Sequence, residues 1–364
     1  MFHYIDSTEH GWPGTASSSS SSFSSSSLRS WCFPESSFTA STSGTSISTR
    51  LIAGTLSNWA LRLDYDTIST AWGNLSHPLK NTVSTKLFVG FLFETKNVVS
   101  GAGSAIAPTA IVKIGAPGAG TTVTTDTLII NADGSFTFNG VTSATGLMAY
   151  QVPGYLEVVV DFVAGTVEVY LDDVLILSST TTLTEASQIN WLITAQGAGG
   201  RRSNTYDDMV IYDDQGEAPT ARLGPCKAVA CPLSASVDTN FTPQGGAANN
   251  LDAVQKSGFS TTTYNQSTSA NDVGDTFTLD TSGIVLGSDV IGVNVCALAK
   301  KTDAGARNLA LVNSDGTNKI SVLKAPDPVA FTGTGQAIFA TAADGTAWDL
   351  TKLAAAEIGY EAKA

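Results

Sequence analysis

Tyr155-Leu156-Glu157-Val158-Val159-Val160-Asp161-Phe162, then Val163-Ala164-Gly165-Thr166, then Val167-Glu168-Val169-Tyr170-Leu171-Asp172-Asp173, then Val174-Leu175-Ile176-Leu177: this run decides the fold class. Side chains along a strand alternate between two faces. Leu156, Val158, Val160 and Phe162 therefore share one face of a first strand, and Val167, Val169 and Leu171 one face of a second. Gly165-Thr166 and Asp172-Asp173 carry turn chemistry, so the stretch reads as three antiparallel strands in a meander.

The same patterns extend outward. Lys86 to Glu94 is almost continuously apolar, as a strand covered on both faces would be. Leu128 to Asn131 and Ser135 to Phe138 flank Asn131-Ala132-Asp133-Gly134, a hairpin turn. Asn58 to Tyr65, Ile111 to Gly115, Ile189 to Ile193 and Asp208 to Tyr212 add further strands. About ten short strands between residues 45 and 215, with no long helical period among them, predict an antiparallel β-sandwich. A break follows at Asp213-Asp214-Gln215-Gly216-Glu217-Ala218-Pro219. Beyond it, Arg222 to Ala230, Asp275 to Leu279, Val290 to Val295, Asn308 to Val312 and Lys319 to Leu323 read as strands, and Thr242 to Gly258 as a polar, turn-rich segment. Trp348 to Gly359 reads as a helix, capped at Thr346 or Asp349 and stopped at Gly359. The expected organisation is an N-terminal arm (1–44), a sandwich (45–218) and a smaller β-rich domain with a short C-terminal helix (219–364).

Composition narrows the function classes. The 364 residues include 40 Ser and 45 Thr, only 14% charged groups, and a net charge of −13. No basic face is available for phosphate, which excludes non-specific nucleic-acid binding, and no apolar run is long enough to span a membrane. Ser17 to Ser27 is a near-pure serine tract around Phe23, bracketed by Trp12, Trp31 and Phe33; it reads as a surface loop or linker, against a spacer that lies along a partner protein and orders on assembly. No secretory leader is visible before it. Cys226 and Cys231 stand five apart between Pro225 and Pro232; a disulfide and two separate thiols are both open, and the extended Pro-flanked segment favours separate thiols. Cys296 falls in an apolar strand-like run.

Chemistry-bearing constellations are sparse. Glu157 and Asp161 lie on the face opposite Leu156, Val158 and Val160, and no Glu-x-Asp-x-x-Glu motif of the sandwich glucanases occurs. They read as a solvated outer face. The three histidines, His3, His10 and His77, provide no triad or zinc spacing; His77 precedes Pro78 in a loop-like segment. Gly197-Ala198-Gly199-Gly200-Arg201-Arg202 lacks the ending of a phosphate loop and reads as a flexible loop. Tyr206-Asp207-Asp208 and Asp213-Asp214 flank one strand and offer oxygens to a Ca²⁺ ion, against a plainer role as strand-end turn residues. No other cofactor and no catalytic residue is expected.

Several stretches together resemble the laminin-G-like, concanavalin-A-like sandwich of tailed-phage virion proteins. They are Gly154-Tyr155-Leu156-Glu157, Gly165-Thr166-Val167-Glu168-Val169-Tyr170-Leu171-Asp172-Asp173, and Tyr206-Asp207-Asp208-Met209-Val210-Ile211. Asp173 stands where that family usually has glycine. Phe241-Thr242-Pro243, Gly292-Val293-Asn294-Val295, Ala299 to Arg307 and Trp348-Asp349-Leu350 resemble the domain that often follows it. The resemblance implies a non-enzymatic structural part of a virion assembled in the host cytoplasm, contacting other virion proteins as a homo-oligomer in a symmetric assembly. The alternative is a lectin-like module for a host-surface glycan, with Trp72, Tyr150, Tyr155, Tyr170 and Tyr206 as aromatic contacts, each competing with core packing or plain exposure. A glycosidase is the remaining reading.

Overall fold

The computed structural model describes residues 1–6, 37–40, 45–50, 60–65, 72–97, 109–115, 126–194, 202–216, 219–255, 262–267, 273–302, 307–326, 328, 331–333 and 336–363. The Ser17–Ser27 tract, Cys32, His10 and the glycine-rich loop before Arg202 lie outside the described residues. The described residues form two compact units, one reaching Ala228 and the other starting at Val229. Among them no helix is long and apolar enough to cross a membrane.

The strands of the first unit are β1 (Phe2–Asp6), β2 (Ser37–Ala40), β3 (Thr45–Arg50), β4 (Ala60–Tyr65), β5 (Trp72–Val83), β6 (Lys86–Asn97) and β7 (Thr109–Gly115). They continue as β8 (Thr127–Ile130), β9 (Phe136–Phe138), β10 (Val141–Thr142), β11 (Gly154–Asp161), β12 (Thr166–Leu171), β13 (Val174–Thr180), β14 (Ala186–Thr194) and β15 (Arg202–Asp213). One sheet runs β13-β12-β11-β6-β15-β4-β3, with β1 also paired to β15; the other runs β10-β9-β8-β7-β14-β5-β2. Every pairing is antiparallel. The architecture is the all-β antiparallel sandwich that the alternation predicts.

The three-strand meander is β11, β12 and β13, with a bulge between Val169 and Tyr170 where β12 pairs with β13. Its second turn is tight despite lacking glycine. Asp172 (φ 47°) and Asp173 (φ 73°) both occupy the left-handed region, as a type I′ turn requires. Aspartate tolerates that region better than most residues. Here Asp172 also accepts a hydrogen bond from the Tyr155 amide at 2.8 Å.

Where the two sheets face each other, the core is aromatic. Phe91, Phe93, Trp191 and Tyr206 are fully buried, with Phe91 edge-on to Trp191 at 5.0 Å and Tyr206 5.4 Å from both Phe93 and Trp191. A polar pair pins the sheets through this core. The ladder between β7 and β14 ends at Val112↔Trp191, and β7 bulges at Ile111 against β8. The carbonyls beyond that point need donors, because a buried unpaired carbonyl is costly. They come from β15 in the opposite sheet. Asn204 Nδ2 donates to Leu192 O (3.0 Å) and Ala110 O (3.1 Å). Tyr206 Oη lies 2.7 Å from Leu192 O and 2.9 Å from Ile111 O.

Three readings of the sequence are corrected here. His77 and Pro78 lie in β5, a twelve-residue strand, opposite Ile189 and Gln188, and His77 is buried. Proline is tolerated because β2 pairs only as far as Ser76, so no described neighbour needs the missing N–H. Residues 222–230 form no strand. The helix near the C-terminus is shorter than expected, as the second unit shows.

In the second unit the strands are β16 (Leu233–Thr239), β17 (Thr242–Gln244), β18 (Tyr264–Gln266), β19 (Val273–Leu279), β20 (Val293–Val295) and β21 (Leu298–Ala299). After them come β22 (Asn308–Ser314), β23 (Lys319–Lys324), β24 (Thr332–Gly333), β25 (Ala337–Phe339) and β26 (Glu357–Lys363), with helices α1 (Asn250–Gln255) and α2 (Leu350–Ala355). The main sheet is β16-β19-β26-β22-β23. Asp349 caps α2 as expected, accepting from the Lys352 amide at 2.8 Å. The chain then turns directly into β26, the central strand, so Gly359 sits in the sheet and stops no helix. A side chain there would strike Asp275 O, because its Cβ would lie 2.0 Å away. Buried Asp275 in turn ties the unit's loops to this sheet. It accepts from the Asn240 and Phe241 amides, from Asn250 and Asn265, and from Tyr360 Oη.

Asn204→Leu removes two donors from the sheet-to-sheet pin while keeping an apolar side chain of similar size. We expect a loss of about 1–3 kcal/mol in the stability of the first unit, read by urea denaturation with Trp191 fluorescence. An unchanged midpoint would remove the pin from this account.

Candidate functional site

A group of charged and aromatic side chains lies on the outer face of β11 and β12. Alternation puts Tyr155, Glu157 and Val159 on that face of β11, and Glu168 and Tyr170 on that face of β12, with Glu157 opposite Tyr170. The segment after β15 folds back over it. Leu223 N donates to Glu157 Oε1 (3.3 Å) and to Tyr212 Oη (3.0 Å), Tyr212 Oη donates to Ala221 O (3.1 Å), and Ala228 N donates to Asp208 Oδ1 (3.0 Å).

Arg222 is the centre of the group. Its Nη1 meets Glu157 Oε2 at 2.8 Å, its Nη2 pairs with Asp173, and its guanidinium carbon stands 4.0 Å over the Tyr170 ring. Tyr170 Oη donates to Glu168 Oε2 at 2.8 Å. Burial pushes the Glu157 carboxyl above its usual range, and Arg222 opposes that rise. Burial likewise raises the Tyr170 phenol, with Glu168 adding to the effect. Deeper in, the Cys226 thiol is pushed up to about 11 by burial, beside Tyr155. Cys226, Cys231 and Cys296 are not in disulfides.

Chemically, the inner half of this group is closed. Both oxygens of Glu157 are engaged, so as built it is an anchor for the 219–228 segment. The expectation of a solvated Glu157 is therefore corrected: chain from outside the predicted sandwich covers it. Asp161 is half-buried and is held by Lys86 (3.1 Å) and the Ala164 amide (2.8 Å). The outer half stays open. The Asp173 side chain is 60% exposed and that of Arg222 25%, and Tyr170 and Glu168 are half-buried.

Of the five candidate aromatic contacts, Tyr170 belongs to this group and is half-buried, with Arg222 over one face of its ring. Tyr206 packs between the sheets, and Tyr155 is buried on the outer face beside Cys226. Tyr150 is half-buried in the turn before β11. Trp72 opens β5, but its side chain lies outside the described residues. The acidic doublets are not gathered for calcium. Asp208 sits at the bulge of β15 (φ 47°) and bonds Ala228, while Asp213 bonds the Gln215 amide at 2.9 Å and Asp214 pairs with Thr85. No cluster of three or more metal-ligating side chains occurs among the described residues. Arg222 escaped notice because nothing local marks it; the only hint was the break in composition just before it.

No protein-family model matches the chain, and no curated protein does. Solved structures resemble it in part. Lectin II from Ulex europaeus is 7% identical over 54% of this chain and 98% of its own, with a TM-score of 0.36. The carbohydrate recognition domain of Emp47p is 14% identical over 48% and 88%, with a TM-score of 0.32. A sialidase is 12% identical over 49% of this chain and 17% of its own, with a TM-score of 0.36, so the chain spans under a fifth of that protein. Nothing in these comparisons points to a tailed-phage protein.

Replacing Arg222 with Met strands a buried carboxylate. We expect Arg222→Met to cost about 3 kcal/mol at neutral pH. With Glu157's folded pKa raised above its unfolded value, the folded state takes up the proton more readily. The loss therefore shrinks as pH falls through that raised value. Urea denaturation at neutral and acidic pH reads both; a loss that does not change with pH would contradict the assignment.

Proposed function

We propose that the chain is a non-catalytic recognition module whose first unit binds carbohydrate at the outer face of β12. Tyr170, Glu168, Asp173 and Arg222 are its contact groups. One observation carries this reading: a half-buried tyrosine with a guanidinium over one face of its ring and a carboxylate on its hydroxyl, beside a second, exposed carboxylate. A sugar offers an apolar C–H face to an aromatic ring and adjacent hydroxyls to carboxylate and guanidinium groups. Because the ion pairs already fix these side chains, little rotamer freedom is lost on binding. A glycan array probed with the full chain tests it. A subset of glycans should bind, and Tyr170→Ala should weaken binding about tenfold or more, on the order of 1.4 kcal/mol. No binding to any glycan overturns the reading.

A second reading, a self-associating structural part of a virion built in the host cytoplasm, is favoured by a separate feature. Among the described strands β13 ends its sheet, and Val174 and Leu175 on it are 63% and 49% exposed. The strand has no charge or proline to block edge pairing. A sedimenting oligomer that Leu175→Lys converts to monomer supports this reading; a monomer at all concentrations removes it.

A further inference from the structure

The outer half of the group on β12 carries more acid than base. Its guanidinium, Arg222, is already taken by two carboxylates: Glu157 Oε2 at 2.8 Å on Nη1, and Asp173 on Nη2. Around it stand Glu168, Asp172 and Asp173, the last two exposed. Lys227, the other cation of the covering segment, is exposed and forms no ion pair among the described residues.

Two of these carboxylates keep an open oxygen beside the tyrosine. Glu168 Oε2 accepts from Tyr170 Oη at 2.8 Å, and its Oε1 has no hydrogen-bond partner among the described residues. Asp173 Oδ1 takes Arg222 Nη2, and its Oδ2 likewise has none among them. Each is one contact from the Tyr170 ring, Glu168 through the phenol hydroxyl and Asp173 through the guanidinium 4.0 Å over the ring. Asp172 differs, since it holds the Tyr155 amide across the turn.

Charge decides what such a surface accepts. An acidic sugar needs a cation that is not already paired, and here it would meet like charge at short range. A sugar hydroxyl can donate to Glu168 or Asp173, but an ammonium donates with charge assistance, and such bonds are stronger than neutral ones. Desolvation does not cancel that gain, because the Asp173 side chain is 60% exposed. We propose that the glycan bound at Tyr170 carries a free amino group, held by Glu168 and Asp173, and that acidic sugars are excluded. This rests on the carbohydrate reading above and narrows it to one chemical class. An N-acetyl group removes the charge from the same nitrogen, so acetylated amino sugars lose the contact.

An array of glucosamine, galactosamine and mannosamine oligomers, each beside its N-acetylated and uronate counterparts, tests the proposal with the full chain. The free-amine forms should bind about fivefold or more tighter than the N-acetylated forms, and the uronates should not bind. Added salt should shrink the preference, since exposed charges are screened. Glu168→Gln and Asp173→Asn each keep a side-chain oxygen for Tyr170 or Arg222 while removing the charge. Each should reduce the preference, and the double variant should erase it. N-acetylated or uronate forms that bind as tightly as the free amines overturn this proposal and leave the carbohydrate reading standing. An array with no binding at all overturns both. A preference that survives in the double variant overturns the assignment to these two carboxylates.

Discussion

The first unit depends on a gap in its own hydrogen bonding. β7 and β14 pair as far as Val112 and Trp191 and then part, leaving carbonyls deep inside the sandwich. Water cannot reach them, so protein groups must supply the donors. Asn204 and Tyr206 do so from the opposite sheet. Apolar packing alone would permit one sheet to slide over the other with little change in buried area. Directional bonds to three named carbonyls do not. The same two residues sit on β15, which also pairs with β1, β4 and β6, so the pin sets the placement of most of its sheet.

A second constraint operates on the outer face. Burying Glu157 would be strongly unfavourable by itself, and Arg222 with the Leu223 amide offsets that cost. The pairing needs the guanidinium in one position, and that position is set by Tyr170 beneath it and Asp173 at the β12–β13 turn. An ion pair that anchors a segment therefore also stiffens a small accessible surface. The second unit uses a comparable device: Asp275, buried, gathers five donors and ties the turn at Asn240-Phe241, α1 and β18 to the central strand.

Much of the fold was legible in the chain. The meander of residues 155–177, the Asn131–Gly134 hairpin and the Asp349 cap all follow from alternation and turn chemistry, which act over a few residues. What escaped notice has a common cause. β5 was hidden by His77-Pro78, whose proline is harmless only because no described neighbour pairs on that side beyond Ser76. β26 was hidden by the helix before it, since Gly359 looks like a helix stop and is in fact a close contact with β19. Both errors came from reading a residue locally when its role is set by a distant strand.

The candidate surface shows the same division. Alternation alone places Glu157, Glu168 and Tyr170 on one side of the sheet and Leu156, Val158 and Val160 on the other. That follows from backbone geometry and needs no partner. Which side meets water does not follow from it. Arg222 lies 65 residues from Glu157 in the chain, and no local pattern announces that it returns. Only the folded chain turns Glu157 from a surface charge into a buried anchor and sets Tyr206 between the sheets. Local geometry sets which face a side chain takes, whereas burial and pairing depend on what the rest of the chain brings to that face.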